Sequence, residues 1–300
     1  MAANNSSVYN INDRVILVQI FVGLFLCINF LLITNFFMKD LFHTTMRYIL
    51  FAVTLLSDSL FLILTNILLI MNYFRFTTQI WLCLSIYIVM SMYTFVTPVT
   101  LTAMTLERYV AICMPLRHAE LCSTRSALHC ILIIHGLSSV PCIVVLSTFF
   151  ASATHSFYTQ DRICSVEIFI FHTWQGHLRS AISQFYFLIM CIAIVFSYVK
   201  IMKVAKAASG DNKKSTWKGL RTVVLHGFQL LLCLIQLWCP FIEAAVLQIN
   251  VMLFINVRYL NYIFFILSPR CLSPLIYGLR DEIFFHALKS YALCGLYKKQ

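Results

Sequence analysis

Residues 15–38 read VILVQIFVGLFLCINFLLITNFFM, an uncharged stretch held between Arg14 and Lys39. A helix of about 20 apolar residues crosses the ~30 Å of hydrocarbon in a bilayer. In that medium a helix satisfies its own backbone hydrogen bonds, which an open strand cannot do. The stretch therefore reads as a membrane-spanning helix. The same criterion carried outward finds further runs at about Tyr48–Phe74 (broken only by Asp58), Trp81–Leu106, Ser126–Phe150 and Ser180–Val199. Two more lie at Thr222–Gln248 (broken only by Glu243) and Tyr259–Tyr277 (broken only by Arg270). These runs are too long and too continuous for the ~10-residue alternating strands of a membrane β-barrel. The expected fold class is an all-α membrane protein, a seven-transmembrane helix bundle.

Composition agrees. The chain has 300 residues, 61% of them hydrophobic and only 11% charged, against about 25% charged in soluble domains. A water-soluble globular domain is excluded, and the 26 Phe and 14 Tyr exclude disorder. The expected division is an N-terminal tail at 1–14, a seven-span domain at 15–278, and an amphipathic eighth helix with a tail at 279–300. The eighth helix rests on Leu279, Ile283, Phe284, Ala287, Leu288 and Tyr291 recurring at helical spacing, and it would lie on membrane lipid at the inner leaflet.

The net charge is +11. Sixteen Lys and Arg fall in connections on one side of the bundle, including Lys39, Arg108, Arg117, Lys203 and Lys214, and five on the other, namely Arg14, Arg75, Arg162, Arg179 and Arg258. Basic residues collect on the cytoplasmic side, so the basic balance is a topology signal and no nucleic-acid partner is expected. The N-terminus is expected outside and the C-terminus in the cytoplasm. The first run lacks a basic leader and a small-residue cleavage site, so it is expected to stay as an anchor. Asn4 and Asn5 each open an Asn-x-Ser sequon suited to glycosylation on an outer tail.

Of the 12 cysteines, two fall clearly on the outer side. Cys83 opens the third span and Cys164 lies in the loop between the fourth and fifth, where oxidising conditions allow a disulfide. The alternative is two free thiols. Cys294, beyond the amphipathic helix, is either palmitoylated or a free thiol.

At the inner end of the third span the chain reads Met104-Thr-Leu-Glu-Arg-Tyr-Val-Ala-Ile-Cys-Met-Pro-Leu-Arg-His118. This run resembles the signature of odorant receptors, a branch of the rhodopsin-like G-protein-coupled receptors. Other landmarks recur in order along the chain: Asn29, Leu55-Leu56-Ser57-Asp58, Ser197-Tyr198, Leu237-Trp238-Cys239-Pro240 and Ser273-Pro274-Leu275-Ile276-Tyr277. Leu237 stands where the family's helix-six motif has Cys, and Ser273 stands where the helix-seven motif has Asn. The usual Trp of helix four is missing, and the second outer loop carries Cys164 alone. A divergent odorant receptor similar to those of fish fits this pattern best.

The resemblance implies roles. Glu107 restrains Arg108, beside Tyr109, until activation frees the arginine for a heterotrimeric G protein, with Tyr198, Trp238, Pro240, Pro274 and Tyr277 as further parts of the switch. Asn29, Asp58 and Ser273 form a polar network that in the family often holds a sodium ion; otherwise Asp58 is protonated and hydrogen-bonded. No other cofactor or metal is expected, and no catalytic residue. A small-molecule odorant would bind among Met90, Ser91, Thr94, Phe95, Tyr186, Phe241, Ile242, Glu243 and Ile263, against ordinary helix packing for any single one. Glu243 lies about a turn beyond Pro240, where a buried acid suggests a functional site. It either receives a cationic ligand, pairs with Arg270, His172 or His177, or stays protonated.

The expected function is an odorant receptor acting through a stimulatory G protein and cyclic AMP at the plasma membrane. The alternatives are a rhodopsin-like receptor for another small ligand, or a polytopic transporter. A transporter predicts internal repeats, which seven spans do not divide into, and a membrane enzyme predicts motifs such as His-Glu-x-x-His, which the chain lacks.

Overall fold

The computed structural model describes residues 2–38, 40–154, 157–209 and 213–274. Seven helical stretches in it are long and apolar enough to cross a membrane: Asp13–Phe37, Met46–Tyr73, Ile80–Cys113, Thr124–Ser152, Thr173–Val204, Gly227–Leu247 and Val251–Ser273. Each overlaps one of the apolar runs, with ends that differ by up to eight residues. The spans are carried by α1 (Ala2–Phe37), α3 (Met46–Tyr73), α4 (Ile80–Cys113), α6 (Thr124–Ser152) and α7 (Thr173–Ser209). The sixth is split into α8 (Lys213–Gln236) and α9 (Cys239–Leu247), and the seventh into α10 (Val251–Asn261), a π-helical segment (Tyr262–Leu267) and α11 (Ser268–Ser273). Short helices α2 (Asp40–His43) and α5 (Pro115–Leu121) fill two connections.

Helix ends follow local chemistry. The first helix begins at Ala2 and so takes in the expected N-terminal tail as well as the first span; no Pro or Gly interrupts the chain before Gly23. The third span runs past Leu106 to Cys113 and stops at Met114, whose φ of −136° and ψ of 58° are non-helical. Pro115 follows it, and a proline pushes the preceding residue out of the α region. The seventh span starts earlier than its apolar run, at Val251, because the Asn250 side chain accepts from the Met252 N–H at 2.7 Å and caps the helix.

Two strands, too short to read from sequence, stand at the bundle end that opens α4. Thr77–Gln79 (β1) pairs antiparallel with Asp161–Ile163 (β2), with Thr78 opposite Arg162. Next to this ribbon, Cys83 in the first turn of α4 is disulfide-bonded to Cys164.

The bundle is apolar on its outside. Ile20, Phe30, Leu132 and Ile192 are each more than 60% exposed, which suits lipid and not water. Inside the bundle stand polar side chains, with Asn29, Asp58, Thr97, Ser138, Gln229 and Ser273 all fully buried. Helix α4 is the central post, packing against α3, α6, α7 and α8. Tyr277, the expected amphipathic helix and tail at 279–300, and Cys294 lie outside the described residues, as do the side chains of Asn4 and Asn5.

Candidate functional site

Midway through the second span, the Asp58 carboxylate is fully buried. Its Oδ1 accepts from the Thr97 hydroxyl at 2.8 Å and from Arg270 Nη1 at 3.0 Å, and its Oδ2 accepts from the Ser273 hydroxyl at 3.2 Å. Arg270 is only 1% exposed. The same Nη1 reaches Thr97 Oγ1 at 3.2 Å, Nη2 reaches the Gln236 side-chain oxygen at 3.5 Å, and the guanidinium lies 3.7 Å from the Phe61 ring centroid. Gln229 on α8 closes the cluster by donating to Ser273 and, at 3.1 Å, to the Pro269 carbonyl. One ion pair thus ties the second, third, sixth and seventh spans together. Burial of two charges is tolerable because they neutralise each other and nearly all their polar atoms are hydrogen-bonded.

The expected network of Asn29, Asp58 and Ser273 is only partly assembled. Ser273 meets Asp58 directly, whereas Asn29 donates to Ser59 at 3.0 Å, on the neighbouring position of the second span. Arg270, Thr97, Gln229 and Gln236 complete the cluster, and sequence reading did not place them there. The available signal was that Asp58 and Arg270 are opposite charges, each alone in an otherwise uncharged run.

The far end of α4 carries Glu107, Arg108 and Tyr109. Glu107 is buried, and its Oε1 lies 3.2 Å from His118 Nε2 on α5. Glu107, His118 and Cys122 gather with one potential metal-ligand atom each within 4.8 Å of one another. The Tyr109 ring packs on Phe196 of the fifth span, 5.7 Å between centroids. Tyr198 on the same helix presses against Gly227 of α8, where a Cβ would stand 3.0 Å from its hydroxyl oxygen. A larger residue at 227 would require the Tyr198 ring to give by a few tenths of an ångström, so the fifth and sixth spans approach closely there.

The sixth span breaks at Leu237 and Trp238, between α8 and α9. Pro240 offers no N–H to the Gln236 carbonyl and its ring crowds that carbonyl, so the ladder gives way just before it. Tight turns replace it, with the Leu237 N–H bonded to Leu234 O at 3.0 Å and the Trp238 N–H to Ile235 O at 2.8 Å. Trp238 contacts Phe187 at 5.9 Å and Phe241 at 6.2 Å between ring centroids, and remains 42% exposed. In the seventh span the π-helical segment precedes Pro269, and Pro274 follows α11.

The expected cavity wall is spread over several environments. Phe95 is buried with Tyr186 against it, 5.3 Å between ring centroids. Met90, Ser91, Thr94, Phe241 and Ile263 are half-buried, and the Thr94 hydroxyl bonds back to the Met90 carbonyl of its own helix. Ile242 is 43% exposed and so faces outward from the bundle. Glu243 accepts from Asn261 Nδ2 at 3.0 Å and stands 3.9 Å from Arg258 Nε. Its neighbours are therefore seventh-span residues, and Arg270 is committed to Asp58. An open groove of about 430 Å³ lined by Ile49, Thr124, Arg125, Leu128 and Ile131 lies between the second and fourth spans, away from this wall.

Comparison with known proteins matches residues 28–277 to the family described as 7 transmembrane receptor (rhodopsin family). The chain is 42% identical over 302 aligned residues, 99% of its own length and 93% of the relative's, to Odorant receptor 131-2 of Danio rerio. It is also 24% identical over 233 residues, 72% of the chain and 59% of that protein, to Galanin receptor 2a of Danio rerio. Receptors of this family carry signals across a membrane and are not enzymes. With seven spans around a polar core and a match running the length of the bundle, the chain belongs to the rhodopsin family of seven-transmembrane receptors, in its odorant-receptor branch.

Proposed function

We propose that this receptor binds a small odorant within the bundle and responds by activating a heterotrimeric G protein of the stimulatory type, raising cyclic AMP. The observation that carries the reading is the 42% identity to an odorant receptor across 99% of the chain. The receptor sits in the plasma membrane with its N-terminus outside, as the excess of Lys and Arg on the opposite face supports.

A ligand shifts a receptor only by binding one of its conformations better than another. The break at Leu237 and Trp238 lets the segment below it, α8, tilt without dragging α9, which holds Glu243 and Phe241. Odorant contact with Phe241, Ile263, Thr94 and Phe95 favours the tilted state. There Arg108, Tyr198 and Tyr277 meet the G protein, while Glu107 and Tyr109 restrain the resting one. Pro240 and Pro274 set the hinges. Glycosylation at Asn4 or Asn5 suits the outer N-terminus, and palmitoylation of Cys294 suits the inner tail.

Cyclic AMP measured in cells with surface-verified receptor, challenged with an odorant panel beside Arg108→Ala, tests the reading. A response present in the natural chain and absent from the variant is expected. A response that survives Arg108→Ala would remove the arginine from the switch. Silence of surface-expressed receptor across the panel would overturn the stimulatory coupling or the odorant class.

A further inference from the structure

Receptors that this chain resembles often place a sodium ion beside the acid corresponding to Asp58. A hard cation of that kind needs oxygen lone pairs left free for it and a surrounding negative charge to compensate the loss of its water. The residues here do not fit it. Both Asp58 oxygens already accept protein donors, two on Oδ1 and one on Oδ2. The Thr97 oxygen is shared with Arg270 Nη1 at 3.2 Å. The charge that an ion would neutralise is neutralised by a guanidinium 3.0 Å away and 1% exposed, so a second cation would leave a net positive charge sealed from water.

We propose that Arg270 is a resident cation standing where related receptors hold sodium, so that the conformational equilibrium of this receptor does not respond to the sodium of its medium. A dissolved ion biases a protein by mass action, in proportion to its concentration over its dissociation constant. A guanidinium attached to α11 has no such dependence, because it cannot leave. It also reaches farther than a bare ion, joining Asp58 and Thr97 to the Gln236 oxygen of the sixth span, 3.5 Å from Nη2. The hinge before Pro240 begins immediately after Gln236. The span that must move is therefore tied to the ion pair by the protein itself.

The test is the thermal midpoint of the full-length, detergent-solubilised receptor in sodium chloride and in choline chloride of equal ionic strength. It needs no odorant, so its failure is distinct from failure of the proposed function. The natural chain is expected to melt at the same temperature in both salts. Arg270→Gln is expected to melt lower in choline and to regain stability as sodium rises, saturably, and the gain is expected to vanish in Arg270→Gln with Asp58→Asn. A saturable sodium-dependent rise in the natural chain that Asp58→Asn abolishes would overturn the proposal. So would a folded Arg270→Gln that stays blind to sodium. If Arg270→Gln does not fold, the comparison of the two salts on the natural chain decides alone.

Discussion

The Tyr186 hydroxyl donates to the Leu137 carbonyl at 2.6 Å, and Leu137 is the residue whose carbonyl Pro141 leaves without its intrahelical donor. Proline at position i has no N–H to offer the carbonyl at i−4, and in hydrocarbon an unsatisfied backbone group costs several kcal/mol. The fifth span thereby repairs a defect in the fourth, and the two are tied at mid-length. Tyr186→Phe keeps the ring against Phe95 and removes only the donor. It is expected to lose about 1–3 kcal/mol, read as a lower thermal midpoint of the purified receptor. An unchanged midpoint would mean that the carbonyl finds another donor, and Tyr186 would return to the candidate cavity wall.

Asp58 and Arg270 are expected to behave as a pair. Removing one member of a buried ion pair strands the other charge and costs about 3–5 kcal/mol, while replacing both by neutral groups costs less. Asp58→Asn and Arg270→Met should therefore each lower the thermal midpoint strongly, and the double variant by clearly less than the sum. Strictly additive losses would show that the two charges are stabilised independently of one another.

The disulfide joins positions 81 residues apart and holds the loop bearing β2 to the mouth of α4. Loss of a native disulfide costs roughly 2–5 kcal/mol. Cys83→Ser, Cys164→Ser and the double variant are expected to lose the same amount of thermal stability, since each breaks the same bond. A double variant markedly worse than either single one would show separate roles for the two thiols.

The spans were legible because hydrocarbon imposes one rule on a whole run of residues, and α3 and α6 fall within a few positions of their apolar runs. What escaped was set by single contacts. The Asn250 cap adds the start of α10, Pro115 sets the end of α4, and the ribbon at Thr77–Gln79 exists only because Asp161–Ile163 comes alongside it. The disulfide was legible since just two cysteines share the outer side. The partner of Asp58 was not, because Arg270 and Asp58 are 212 positions apart, and a span reveals depth without revealing which face meets which. The same blindness made Arg270 a candidate partner of Glu243, whose actual neighbours are Asn261 and Arg258.

Cys122 follows α5, outside the membrane-spanning stretches, and offers a pH-dependent probe of the Glu107 end of the bundle. Burial pushes its thiol above the ordinary range, and the Glu107 carboxylate and then the Cys130 thiol push in the same direction. A raised thiol value means less thiolate at a given pH, and the thiolate is the species that alkylates. Labelling of Cys122 by iodoacetamide in permeabilised membranes, followed by mass spectrometry of its peptide, should be slow at pH 7.5 and quicken as pH rises. Glu107→Gln deletes a negative charge that disfavours the thiolate, so it should speed labelling near neutrality. At a pH high enough to ionise the thiol in both proteins, the two rates should converge. A variant faster by the same factor at every pH would mean that the substitution only opened access to the thiol, and the carboxylate would not be acting on Cys122 through its charge.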